Sequence, residues 1–240
     1  ALYREADCVL AYGGNEAIAQ VRGLVPATTR FLAYGHKLGV ALVGRAALDT
    51  QRAPHTARLA AHDVARYEQQ GCYSPHVVYV ERGARVPPRA FAQYLAAELA
   101  NLQRRFPRRA LSLEEAAAVA AWRQAAELRA LGDEGAELFT DEESAAWAVA
   151  YADGPLPLAP SAAYRCVQVV AVDTLEQALE RIAPHAAFLQ TAGVAVAPGE
   201  LYALAERLGR AGVTRVAALG AMTAPEAGWH HDGGFNLASL

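Results

Sequence analysis

CVLAYGGNEAIAQVRGLVPATTRFLAYGHKLGVALV, residues 8–43, alternates strand-like and helical stretches around two glycine turns. CVLAY (8–12) is apolar and of strand length, Gly13-Gly14 turns the chain, and Asn15 opens a helix running to about residue 22. After Pro26 come RFLAY (30–34), a second short strand, and VALV (40–43), a third. Taken alone, the first part is a strand-turn-helix unit, and with the strands that follow it shows the alternation of an α/β architecture. The Gly13-Gly14 turn is by itself a weak nucleotide signal, because the chain holds neither GxGxxG nor GxxxxGKS. The helix N-terminus at Asn15 can nonetheless face an anion or a nicotinamide ring.

Working outward, the same alternation continues. A helix is expected over 54–69, then the connection QGCYSP, then a strand at 76–81 (HVVYVE) that reads as buried on both faces. Phe91, Leu95, Leu99 and Leu102 share one helix face after Pro87-Pro88. Ser112 with Glu115 makes a capping box for the alanine-rich helix that follows to about residue 131, and Thr140 with Glu143 resembles another. The middle of the chain therefore reads as helical, and DGPLPLAPS (153–161) reads as a surface loop. RCVQVVAV (165–172) is the strongest strand signal, and Asp173 with Glu176 is expected to cap a short helix striped by Leu175, Leu179 and Ile182. A brief strand at 193–196, a helix through Leu201, Leu204 and Leu208, and a strand at 215–219 complete an α/β chain without internal repeats.

Composition narrows the function classes. The 240 residues carry 22 Lys+Arg against 25 Asp+Glu, so no field of one sign attracts nucleic acid or an anionic membrane. No stretch approaches the roughly 18 continuous apolar residues of a membrane span. Cys8, Cys72 and Cys166 are too few and too scattered for a disulfide framework, which points to a reducing compartment, the cytoplasm by default. Both ends read as cuts, so the chain is expected to be part of a longer polypeptide.

Two residues carry the candidate chemistry. Cys72 lies in GCYSP, between a helix and a strand, where glycine and proline keep the connection tight. There a thiolate can meet substrate while nearby backbone N–H groups stabilise an oxyanion. The competing reading is a small buried hydrophobe, the usual fate of a cysteine outside disulfides and the one expected for Cys8 and Cys166 inside their strands. His36, in GHKLG, sits between two strands with Gly35 and Gly39 letting backbone approach a ligand, and an imidazole can take a thiol proton near neutral pH. A solvated loop histidine is the alternative. Lys37 beside it is the only lysine in the chain. His55, His62 and Asp63, and likewise His230-His231-Asp232, lack metal-site spacing, and no metal is expected.

With these residues in order, the chain resembles the long-chain fatty acyl-CoA reductases of bacterial bioluminescence, a branch of the aldehyde dehydrogenase superfamily. VLAYGGNEAIAQVR resembles the strand, turn and helix closing the cofactor domain, FLAYGHKLGVALV the general-base segment, HDVARYEQQGCYSPHVVYVE the nucleophile segment, and GWHHDGGFN the closing motif. The resemblance implies an aldehyde dehydrogenase-like α/β catalytic domain with the last part of a Rossmann-like cofactor domain. It divides the chain into a nucleotide-binding end at 1–35, a thiol catalytic domain at 36–212 and a closing segment at 213–240. It implies Cys72 as nucleophile, His36 as acid-base, and Gly13, Gly14, Asn15 and Gly35 as cofactor-binding residues. It further implies NADPH as cofactor, an acyl-CoA as substrate, an upstream cofactor-domain segment, and a homo-oligomer as a further expectation. His36 stands where classical aldehyde dehydrogenases carry a water-activating glutamate, which leans the reading toward thioester reduction. Acyl transfer or thioester hydrolysis at the same cysteine, oxidation of an aldehyde, and a non-catalytic fragment are the alternatives. Trp229, one of three tryptophans, is expected to anchor the closing motif against a domain boundary.

Overall fold

The structure is a computed structural model describing residues 2–141, 144–235 and 238. It separates into two compact units, Ala1–Lys37 with Glu226–Leu240, and Leu38–Pro225.

In the first unit, a helical turn α1 (Leu2–Glu5) leads to strand β1 (Cys8–Tyr12), helix α2 (Asn15–Leu24) and strand β2 (Arg30–Tyr34). The two strands pair in parallel from Cys8↔Arg30 to Tyr12↔Tyr34, so 8–34 forms a βαβ unit. Its strands are only half covered, and Cys8, expected to be buried, is half-buried because this sheet has two strands and no second layer of its own.

The second unit follows with β3 (Leu38–Val43), α3 (Arg52–Ala65), β4 (Pro75–Glu81), α4 (Pro88–Arg105), α5 (Leu113–Gly132), β5 (Ala136–Thr140), β6 (Ala148–Ala152), β7 (Cys166–Val172), α6 (Leu175–Ile182), β8 (Leu189–Ala195), α7 (Pro198–Arg210) and β9 (Arg215–Ala218). The strands form one sheet in the order β5-β6-β7-β4-β3-β8-β9, parallel except for β5. β3, β4 and β7 are mainly apolar and almost wholly buried because helices cover both faces of this sheet. On one face, the alanines of α3 let it lie close to α4, and Phe91, Leu95 and Leu99 of α4 are fully buried against Val78, Val80 and Val169. Burial of each such side chain stabilises the fold by about 1.5–3 kcal/mol. On the other face, Ile182 of α6 and Leu204 and Leu208 of α7 meet Leu42, Tyr79 and Val170.

Several expectations need correction. AELFT and AVAYA are the antiparallel strands β5 and β6, where the sequence reads as helical. β8 begins at Leu189, four residues before the expected 193, because Gln190 and Thr191 are buried in it despite their polarity. The helix expected over 54–69 is α-helical only as Arg52–Ala65, and Tyr67 and Glu68 then take left-handed backbone. Asp173 does not cap α6: Thr174 stands at its N-cap, and the Asp173 N–H is bound by Gln177 Oε1 at 3.0 Å. The Ser112–Glu115 box is present with both of its bonds, whereas Glu143, half of the other suggested box, lies outside the described residues. Among the described residues, no helix is long and apolar enough to cross a membrane.

Candidate active site

In the first unit, the two glycine turns form one constellation at the carboxyl end of the parallel pair. The Gly13 N–H donates to the Tyr34 carbonyl at 3.2 Å, and the His36 N–H donates to Asn15 Oδ1 at 3.0 Å. A Cβ on Gly35 would stand 2.6 Å from that same Asn15 oxygen, so a side chain at 35 would break the link. Gly13, Gly14, Asn15, Gly35 and His36 are thus brought together by their strands, with the His36 side chain exposed. Gly14 occupies the N-cap of α2 and has no side chain to occupy the first-turn N–H groups, which an anionic group can use.

The closing motif covers these strand ends. The rings of Tyr12 and Tyr34 stack at 4.6 Å, the His231 ring meets Tyr34 edge-on at 4.5 Å, and Trp229 packs on His231 at 4.7 Å. Lys37 Nζ lies 3.9 Å from Asp232 Oδ2. Trp229 is half-buried in this aromatic group rather than sunk in a core. Asn236 of the motif lies outside the described residues. Among the described residues, no three His, Cys, Asp or Glu side chains are placed to hold a metal ion.

In the second unit, Cys72 sits on a turn closed by the Ser74 N–H donating to the Gly71 carbonyl at 2.9 Å, immediately before β4. Cys72 is half-buried, and Ser74 is fully buried with no partner for its Oγ. Gly39 of β3 passes directly beneath: a Cβ there would overlap the carbonyl oxygens of Tyr73 and Ser74. The second glycine of GHKLG therefore serves the cysteine turn, a close approach only glycine permits. The Tyr73 hydroxyl is pushed up by burial first and by Tyr67 and Cys72 next, with Arg66 and Arg215 opposing. Cys166, buried in β7, has its thiol pushed up to about 12 by burial, with Arg108 and Arg123 opposing, so it is no nucleophile near neutral pH.

The chain entering the Cys72 turn is held by residues that motif reading missed. Tyr67, Glu68 and Gln69 have φ of 53°, 52° and 62°, a left-handed run that costs non-glycine residues about 1–2 kcal/mol each. Gln69 is buried and donates to the Pro75 carbonyl at 2.7 Å and to Ser161 Oγ at 3.3 Å. Ser161 in turn places its N–H 3.1 Å and its hydroxyl 2.9 Å from His76 Nδ1. Arg165 grips Glu68 through Nε and Nη2 at 2.9 and 3.0 Å. Gln69 carries no sign of burial in the sequence, and the Arg165 contact, 97 positions away, leaves none either.

No curated protein matches the chain. Among solved structures, it is similar to a proline utilization A protein of Bradyrhizobium japonicum, at 15% identity and a TM-score of 0.72 over 97% of this chain and 26% of that one. It is also similar to the aldehyde dehydrogenase KauB of Pseudomonas aeruginosa, at 14% identity and a TM-score of 0.67 over 94% of this chain and 46% of that one. An NAD-dependent aldehyde dehydrogenase of Burkholderia multivorans matches at 20% identity and a TM-score of 0.60, over 91% of this chain and 41% of that one. The chain shares the fold of the matching regions of these proteins and spans from about a quarter to under half of their length. The sequence profile of the acyl-CoA reductase (LuxC) family matches residues 1–240. By that full-length match, the chain belongs to the acyl-CoA reductase (LuxC) family.

Proposed function

We propose that this chain supplies the covalent half of an enzyme that converts an acyl-CoA thioester to an aldehyde, with Cys72 as nucleophile and His36 as acid-base. The observation that carries the reading is the family match over residues 1–240. The Cys72 thiolate adds to the acyl carbonyl, the carbon–sulfur bond to CoA breaks, and CoA leaves with a proton, giving an acyl-cysteine. His36 accepts the thiol proton in the first step and returns it to the leaving thiolate. In sequence His36 stands three positions before Gly39, the residue that lies against the Cys72 turn. Backbone N–H groups at Cys72 and Tyr73 are the donors offered to the carbonyl oxygen as it gains charge.

The glycine turns fit a nicotinamide dinucleotide as one βαβ unit of its usual fold: Gly13, Gly14 and Asn15 open α2, and Gly35 lets Asn15 reach across to the next strand end. NADPH, when bound, supplies a hydride for the acyl group. The other dinucleotide-binding elements are proposed to belong to polypeptide preceding these residues.

Oxidation of an aldehyde through the same cysteine is the second reading, and the solved structures favour it, since those of Pseudomonas aeruginosa and Burkholderia multivorans are aldehyde dehydrogenases. Against it stands a histidine at position 36, where oxidation followed by hydrolysis calls for a base dedicated to water. The full-length protein given labelled acyl-CoA in a rapid-quench experiment is expected to form a covalent acyl adduct, absent in Cys72→Ser, and to yield aldehyde with NADPH. Aldehyde oxidation with NADP⁺, and no adduct from acyl-CoA, would establish the second reading instead.

A further inference from the structure

Resting on Cys72 as the nucleophile, we propose that Arg165 and Glu68 are positioning residues for its reaction: their ion pair clamps two left-handed backbone runs together and so sets the approach of the Cys72 turn.

The two runs are Tyr67-Glu68-Gln69 and Ala163-Tyr164-Arg165, each three consecutive non-glycine residues at positive φ. The first ends two residues before Gly71, where the cysteine turn begins. Such backbone persists only where its surroundings over-determine it, and it collects at functional sites. Here the surroundings are the other run: the Tyr164 N–H donates to the Glu68 carbonyl at 2.9 Å, and Gln70 Nε2 reaches the Tyr164 hydroxyl at 2.9 Å. Over this backbone link lies the bidentate Arg165–Glu68 pair, with the Arg165 side chain only 4% exposed. The remaining terminal nitrogen of the guanidinium donates to Gln103 Oε1 at 2.9 Å and to the Phe106 carbonyl at 3.0 Å. Four of its five N–H groups are thus aimed at fixed acceptors, a fit that needs the planar fork of arginine and that a lysine ammonium does not reproduce.

A buried ion pair is a poor device for stability alone, because the cost of removing both charges from water offsets much of their attraction. A single geometry is what it secures. Loss of the clamp lets 67–69 relax toward ordinary backbone and carries Cys72 with it. Displacement of a reacting atom by about 1 Å costs roughly 10²-fold in rate.

The test uses the full-length protein and four variants: Arg165→Lys, Arg165→Met, Glu68→Gln and, as reference, Cys72→Ala. Four quantities are read: kcat and KM with acyl-CoA, and the iodoacetamide alkylation rates of Cys72 and of Cys166 by peptide mass. The expected result is a fall in kcat of about 10- to 100-fold in both Arg165 variants, KM within about threefold, and a smaller fall in Glu68→Gln. Cys166, buried in the same unit, is expected to alkylate as slowly as before, whereas a loosened fold would speed it. Accelerated Cys166 labelling that accounts for the lost activity overturns the positioning role. If Arg165→Met does not fold, Glu68→Gln decides by the same readings, since it keeps the bonds of Arg165 to Gln103 and Phe106. Unchanged kcat in the Arg165 and Glu68 variants beside an inactive Cys72→Ala overturns this proposal alone. Full activity in Cys72→Ala overturns the nucleophile reading, and this proposal with it.

Discussion

The two ends of the seven-stranded sheet are built on opposite principles. At the carboxyl ends of β4, β6 and β7, charge is exposed and paired: Arg82 bridges Asp153 and Asp173 at 2.9 and 2.8 Å, and Arg45 meets Glu81 at 3.3 Å. At the amino ends of β3, β4 and β8, polar atoms are buried and several lack partners, among them Ser74 Oγ and Thr191 Oγ1. Cys72 belongs to this second end. Open α/β sheets usually bind ligands beyond the carboxyl ends of their strands; the glycine turns of the first unit lie at such an end, while the second unit places its thiol at the opposite end. Paired surface charge closes an edge, whereas a tight turn over Gly39, with left-handed backbone before it, holds a group in place at some cost in stability.

The sharpest way to break this contrast is at the thiol. Cys72→Ser is expected to abolish acyl-enzyme formation while the melting temperature stays within a degree or two, because the hydroxyl is a far weaker nucleophile and fills the same turn. Undiminished labelling of the serine variant would make the amino end merely structural. His36→Ala comes next, with acylation slowed by about 10²- to 10⁴-fold and little change in unfolding, since its side chain is exposed. Single-turnover acylation at normal speed would remove His36 from the reaction.

Both residues stood out as candidates in the sequence because each stands in a glycine-flanked connection, and β1, β2, β3, β4 and β7 were legible as strand-length, mainly apolar runs. What holds Cys72 was not. Nothing in RYEQQ announces left-handed backbone, since the run has no glycine or asparagine to invite it and arises from tertiary contacts. Ser161 and Arg165 lie beyond a proline-rich loop, and only the folded chain brings them to Gln69 and Glu68. β6 was not legible because alanine, three of its five residues, favours helix, and its burial against α4 and β7 overrides that preference.

A third kind of charge stands between the exposed network and the orphaned hydroxyls. Asp63 of α3 is fully buried, and its carboxylate accepts the N–H groups of Gly220 and Met222 at 2.5 and 3.2 Å. Burial dominates and pushes its pKa up to about 6, with the Gly220, Met222 and Thr223 amides and Arg215 opposing. The folded state therefore keeps a proton that the unfolded chain has already released, and stability falls as pH rises from about 4 to 6, by about 3 kcal/mol. Asparagine mimics the protonated side chain and does not titrate. Urea unfolding of wild type and Asp63→Asn from pH 4 to pH 7 is expected to show wild type losing about 3 kcal/mol relative to the variant. A difference that stays flat across that range would show that the Asp63 proton is not held.

The smallest effect is expected at the carboxyl end, and its smallness is the point. Arg82→Ala removes both ion pairs and the contact to the Asp153 carbonyl. Its partners are half or more exposed, with side-chain exposures of 52% for Asp153 and 66% for Asp173, so water replaces most of what is lost. The loss of stability is expected to be about 1 kcal/mol in denaturant unfolding, shrinking further as salt screens the pairs. Acylation of Cys72 is expected to be unchanged, because the strands separate this network from the amino end along their full length. A large fall in acylation with little loss of stability would mean that the two ends communicate through β4, which runs from the cysteine turn to Arg82, and the division of labour between them would have to be redrawn.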